Sequence, residues 1–319
     1  MFGQTCGLII TLTLIVVVFN FHGSTNKVVL LYGRLVIAIA IQDAVFCTYE
    51  IGVQHILCFS GNKMFVNAYG WEQFAPEWIL PPAFFFHIFF ICNTFTFLPA
   101  IYSYRYEYLK KLSWMSLFAR LGISMTCSAI GSFAAALAAR KSLIRGKEYY
   151  LKLLPKAWFD DHGQSVFIYA VDLDDNEAVF WVFSTIVVSF SSISTTVYYA
   201  IKSANVVREN IHEESPSSNS VQKQFNRGLM AQTIAIGFMS NVPALVLFSC
   251  IALGFDGTYL GTQFMFSMSY VSATGSCMTI YFMRGYRRWL GKKLFGLKDR
   301  YDDNTSKGTS VKITTTQNN

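Results

Sequence analysis

Charge is what this sequence has least of. Only 14% of its 319 residues are Asp, Glu, Lys or Arg, against 53% hydrophobic, where a soluble domain carries roughly a quarter charged. That shortage excludes a water-facing surface over most of the chain and points to lipid. Cysteine is sparse and poorly placed for bridging. Cys6, Cys47, Cys58, Cys92, Cys127, Cys250 and Cys277 lie in or beside apolar runs, and none falls between residues 140 and 177. A disulfide tying that stretch to another element is excluded, no metal-ligand spacing appears, and the seven read as small buried hydrophobes. Hydrolase and nucleotide-binding signatures are missing too. There is no His-Glu-x-x-His, no P-loop, no Gly-x-Ser-x-Gly and no carboxylate pair beside a histidine at usable spacing, so no enzyme, metal or cofactor is expected. Internal repeats of 20 to 50 residues and similarity between halves are also lacking, which counts against a transporter built of inverted repeats.

What remains is apolar runs of the length a helix needs to cross a bilayer, about 20 residues. They lie at 5–21, 35–57, 79–103, 116–139, 178–201, 229–253 and 260–283, and of all charged residues only Asp43, Glu50 and Arg120 fall inside them. The expected fold is an all-α membrane protein, a seven-transmembrane helix bundle over 1–283. The first run lacks the cationic flank of a signal peptide, since no Lys or Arg precedes Lys27, and is read as a retained helix.

Lys and Arg concentrate on the cytoplasmic side of membranes. With the N-terminus outside, 19 of them lie inside and seven outside, so N-out and C-in is the expected orientation. The net charge of +7 then faces anionic lipid headgroups, and nucleic acid is not an expected partner. The stretch 202–228 carries "EESPSSNS" and reads as mobile. The stretch 140–177 is basic first and acidic later, and either folds back on itself, interacts with soluble ligands or is simply solvated. After residue 283 comes "RGYRRWLGKKLFGLKDR", with Leu290, Leu294 and Leu297 at helical spacing among Arg287, Arg288, Trp289, Lys292 and Lys293. This predicts an interfacial amphipathic helix over 284–300, followed by a disordered tail over 301–319.

Ionisable groups inside a membrane are costly and attract functional suspicion. Asp43 and Glu50 are seven residues apart, Gln54 follows at eleven, and Cys47 lies beside them, so all project along one stripe. Asp43 is then either a polar packing group or part of a switch, and Glu50 sits farther out, within reach of a ligand cavity. On the third run His87 lies near the outer mouth, facing a pocket or satisfied within its own bundle, with Phe90 and Ile91 beside it; Ser249 on the sixth completes the candidate ligand set. Asn241 two residues before Pro243 predicts a kink with two discrete positions.

The third run ends in "IYSYRYEYLKK". "SYRYEYL", then "SVQKQFNRGLMAQT" before the sixth run and "YFMRGYRRWL" after the seventh, resemble the nematode serpentine chemoreceptors of the Str superfamily. "AIQDAVF" and "YEIGVQHILCFSGNKMFVNAYG" look most like its Srd family. The resemblance implies a seven-helix receptor of sensory neurons that binds a small-molecule chemical and signals through a heterotrimeric G protein. It places Tyr104, Arg105 and Tyr106 where rhodopsin-like receptors carry Asp-Arg-Tyr. Arg105 thus lacks an adjacent acid, Glu107 points elsewhere, and the seventh run has "SCMTIYF" in place of Asn-Pro-x-x-Tyr. By physics alone Arg105 is either a coupling group or an interfacial anchor. Two rivals stand beside the receptor: a seven-helix ligand-gated channel like the insect odorant receptors, which needs the N-terminus inside, and a transporter.

Overall fold

The computed structural model describes residues 2–21, 27–60, 62–110, 115–145, 147–154, 167–209, 216–253 and 258–296. Among the described residues, six helical segments are long and apolar enough to cross a membrane: Phe2–Asn20, Leu31–Val53, Leu80–Leu109, Leu117–Arg140, Asn176–Glu209 and Ser220–Cys250. They belong to α1 (Phe2–Phe21), α2 (Lys27–Val53), α3 (Leu80–Leu109), α4 (Leu117–Arg145), α6 (Asn176–Glu209) and the joined pair α7 (Pro216–Ile236) and α8 (Val242–Ala252). The short α5 (Lys147–Leu151) lies between α4 and α6.

The seventh apolar run is not one helix. It divides into α9 (Thr258–Ser269) and α10 (Val271–Phe282), 12 residues each, with the break at Tyr270. There the Tyr270 amide turns back to the Ser267 carbonyl. No proline or glycine marks the break, so hydropathy runs straight through it.

The all-α expectation fails at one end of the bundle. Strands β1 (His55–Ser60), β2 (Lys63–Ala68) and β3 (Phe167–Asp172) form an antiparallel sheet in that order, with Cys58 opposite Phe65 and Phe65 opposite Ala170. The second run therefore stops at Val53, not at 57. Gln54 takes a left-handed φ of 51°, leaves the helix and carries the chain into β1, so it does not extend the Asp43–Glu50 stripe.

Both sheet faces are covered. Leu57, Phe59, Met64, Val66 and Ala68 join the core formed by α3, α4, α6, α8 and α9, while Phe65 packs with Tyr150, Leu154 and Ala170 on the far side. Two glycines permit close approach. A Cβ on Gly261 of α9 would stand 2.4 Å from the Leu57 carbonyl oxygen, and one on Gly70 would stand 1.9 Å from that of Gly52.

The segment 140–177 does fold back over its described part. Asp172 on β3 receives Arg145 at 2.6 Å and Lys63 at 3.0 Å. Burial pushes the Asp172 carboxyl up, but the bonds from Lys63, the Asp174 amide and Arg145 outweigh it and hold it below the usual carboxylate range. All seven cysteines are free thiols; strand pairing and these ions tie the segment down where no disulfide does.

At the opposite end, the stretch 202–228 is helical where it is described: α6 runs to Glu209 and Pro216 opens α7, as proline's fixed φ favours, while 210–215 lie outside the described residues. The helix α11 (Arg284–Phe295) follows a bend at Met283 and ends on left-handed Gly296. Its apolar face is Tyr286, Trp289 and Leu290, packed against the bundle, while Arg287, Arg288, Lys292, Lys293 and Leu294 are exposed. Trp289 is half-buried against the bundle, Leu294 is off the packed face, and Leu297 with the tail 301–319 lies outside the described residues.

Candidate functional site

Two polar constellations stand about 27 Å apart along α3, by helical rise between His87 and Arg105. The first is under the sheet. Glu50 at the end of α2 meets His87 of α3, Nδ1 to Oε1 at 2.7 Å, both side chains buried. The His87 ring packs edge-on against His55 of β1 at 4.2 Å between centroids, and His55 Nε2 in turn bonds Glu72. Glu50, His87, His55 and Glu72 form one buried chain linking two helices, the sheet and the turn over Trp71–Phe74. His87 is therefore not a lone histidine: it is paired with Glu50 and packed on His55. Sequence reading misses His55 and Glu72, and it misses the pairing of two carboxylates with two histidines, because the apolar run continues unbroken from α2 into β1.

Burial first, and His87 second, hold the His55 imidazole below its ordinary 6.5, against the opposite pull of Glu72 and Glu50. The folded ring resists a proton that the undocked strand accepts. The contribution to docking is thus complete above pH 6.5 and is lost as pH falls toward the depressed folded value. Amide exchange over β1 and β2 is expected to speed up several-fold between pH 7.5 and 5.5, after correction for intrinsic rates, and to respond much less in His55→Gln.

Beside this chain, Ile91 lines an apolar cavity of about 30 Å³ with Leu57, Met64, Trp181, Leu247 and Phe248. The Trp181 indole N–H is buried there without an acceptor. Phe90 does not reach the cavity; it packs with Phe46 and Tyr49. Ser249 is exposed on the outer side of α8. A π-helical turn at Gly237–Asn241 precedes it in the same segment, and its wider winding shifts the register of every later residue.

That turn takes the place of a simple proline kink. Pro243 sits in the first turn of α8 and Asn241 ends the π turn, with its Oδ1 buried and without a donor. Asp43 lines a cavity of about 10 Å³ with Gln232, Ser276 and Thr279, the size of roughly one water molecule.

The second constellation is at the other end. Arg105 is entirely buried. Its Nη1 donates to Asn226 Oδ1 of α7 at 2.8 Å, and its guanidinium lies over Tyr32 at 5.7 Å and Phe225 at 5.4 Å. Tyr32 and Phe225 are themselves stacked at 4.1 Å. The Nε and Nη2 hydrogens have no acceptor. Burial rules out the interfacial anchor. Glu107 pairs with Arg120, which also donates to Ser103 at 2.9 Å, so the nearby acid is indeed engaged elsewhere. Tyr106 packs on Tyr199 at 5.6 Å and Tyr104 on Tyr108 at 6.4 Å. Asn226 and Phe225 are legible in the sequence only as part of "QKQFNRG".

This arrangement, a buried arginine near the end of the third span held by the sixth, sits on a chain whose residues 1–290 match the family described as serpentine type 7TM GPCR chemoreceptor Str. The chain belongs to that family. No curated protein matches it. Str membership makes the chain a multi-pass membrane protein of a non-enzymatic receptor class.

Proposed function

We propose that this Str-family chain is a chemosensory G-protein-coupled receptor, most like the nematode Srd receptors and serving olfaction or a related chemical sense. It is placed in the plasma membrane of a sensory-neuron cilium, with its N-terminus and sheet outside and α11 inside. The observation that carries the reading is Arg105: a buried guanidinium with one side-chain acceptor, two aromatic faces and two donor nitrogens without an acceptor. Such a group is costly where it lies and gains by meeting carboxylates or helix-end carbonyls of an incoming partner. The partner is a heterotrimeric G protein, met by Tyr104, Arg105 and Tyr106.

The ligand, an environmental small molecule, acts at the sheet end. Ile91 contributes a wall there, Glu50 and His87 hold the sheet in place, and Phe90 backs them. Ser249 faces away and has no part. Movement passes along the segment bearing Asn241 and Pro243 to Asn226, with Asp43 as the polar group beside it. A ligand shifts such an equilibrium only by its differential affinity for the two states. Channel and transporter readings draw no specific contact from the structure, and the Lys/Arg distribution opposes the inverted channel orientation.

Cells expressing the chain with a promiscuous G protein, exposed to volatile and water-soluble chemicals, are expected to show ligand-dependent nucleotide exchange. A ligand-gated current that persists without G protein would sink the receptor reading.

A further inference from the structure

The connection between β2 and α3 carries large aromatic side chains that the protein leaves uncovered. Two short 3-10 turns make it, Trp71–Phe74 and Glu77–Ile79. Trp71 is 45% exposed, Trp78 75% and Phe74 84%. Left in water, each ring would forgo most of the roughly 150–250 Å² that an aromatic side chain can bury, and a cluster of exposed apolar groups marks a contact surface.

Position says what covers them. The span of α2 ends at Val53 and that of α3 begins at Leu80, so the connection lies where two spans reach the edge of the hydrocarbon. A Cβ on Gly52 would stand 3.3 Å from the Trp71 indole, which puts Trp71 level with the last turn of α2. Trp78 continues a side of α3 that already faces lipid. Phe86, six residues inside that span, is half-exposed, and Pro82 one turn earlier is exposed as well. Trp78 precedes Pro82 by four residues in a turn that runs straight into α3, and residues four apart share a side.

The chemistry agrees with the position. Tryptophan concentrates where hydrocarbon meets headgroups, because it has an apolar body and a polar N–H. No Lys or Arg occurs between Lys63 and Arg105, so this surface has no cation for anionic headgroups and holds lipid by its rings.

We propose that 71–79 is a membrane-interface anchor: Phe74 and Trp78 insert between lipids at the headgroup–acyl boundary on the sheet side, with Trp71 at their level, and this seating holds Glu72 against His55. Glu72 is the inward residue of the first turn, buried between the exposed Trp71 and Phe74 in sequence and bonded to His55. The bilayer thereby fixes one end of the buried Glu50–His87–His55–Glu72 chain. The proposal rests on the spans and not on the receptor reading.

The test uses the full chain in phosphatidylcholine nanodiscs, comparing tryptophan emission of the parent with that of Trp78→Phe, so that the difference isolates Trp78. That difference is expected to fall at least about twofold with lipid brominated just below the headgroup, less with lipid brominated near the chain end, and little with aqueous iodide. Admixed phosphatidylglycerol should leave the pattern unchanged. Quenching by iodide alone would put the connection in water, stronger quenching from the chain end would put it in the hydrocarbon core, and indifference to both would mean that protein, such as a second copy of the chain, covers it. Each of these overturns the proposal. The hold on Glu72 has its own readout: amide exchange over β1 is expected to quicken several-fold in Phe74→Ser with Trp78→Ser, and not in Phe74→Leu with Trp78→Phe. Unchanged exchange in the serine pair would overturn that part. Neither readout involves a ligand or a G protein, so failure here leaves the receptor reading to its own assay.

Discussion

Basal nucleotide exchange is expected to rise several-fold in Asn226→Ala, while ligand-stimulated exchange falls by at least about tenfold in Arg105→Ala. The two opposite signs come from one contact. Asn226 Oδ1 is the acceptor at 2.8 Å that α7 offers the buried guanidinium, and a hydrogen bond to a charged group contributes about 1.5–3 kcal/mol. Removing the acceptor penalises only the closed arrangement, in which Arg105 is shut off from the surface. Part of that energy is recovered by relaxation against Tyr32 and Phe225, which is why the expected rise is several-fold and not a hundredfold. Removing Arg105 instead deletes the group that a partner would meet. Measured at matched surface expression, a silent Asn226→Ala would show that the contact does not hold the resting state. An Arg105→Ala chain that still drives full exchange would end the coupling role.

The main helices are legible in the sequence because hydrocarbon imposes one length and one composition on them. The sheet is not, and the cause is local. "HILCFS" and "KMFVNA" are buried on both faces, so the alternation that marks a half-exposed strand is missing and the first reads as more helix. Nothing but Gln54 stops α2, and glutamine is no breaker. A similar silence hides the interruption at Tyr270. At the sites, spacing within one helix carries well. Asp43 and Glu50, seven apart, are both buried on one side of α2. Spacing is hard to carry across the π turn, because an extra residue in a turn rotates the rest of the helix by on the order of 100°. Partners brought from elsewhere in the chain, His55 to His87 and Asn226 to Arg105, are separated by 32 residues or more and have no sequence period to betray them.

Glu50→Ala should cost about 3–5 kcal/mol of stability, the usual penalty for stripping one partner from a buried pair, and lower the midpoint of thermal unfolding by on the order of 10 °C. His87 would keep its burial and lose the carboxylate at 2.7 Å, and through the edge-on ring contact the disturbance would reach His55 and Glu72. Glu50→Gln retains an acceptor for His87 and should lose far less. A double variant, Glu50→Leu with His87→Phe, should recover much of the loss, since replacing both buried partners by packed hydrophobes is often neutral or better. The series also separates two roles for Glu50. If it positions the sheet, stability and ligand response decline together across the variants and the double variant restores both. Should Glu50→Gln remain as stable as the parent yet fail to respond, Glu50 touches the ligand directly, and the buried chain opens during sensing.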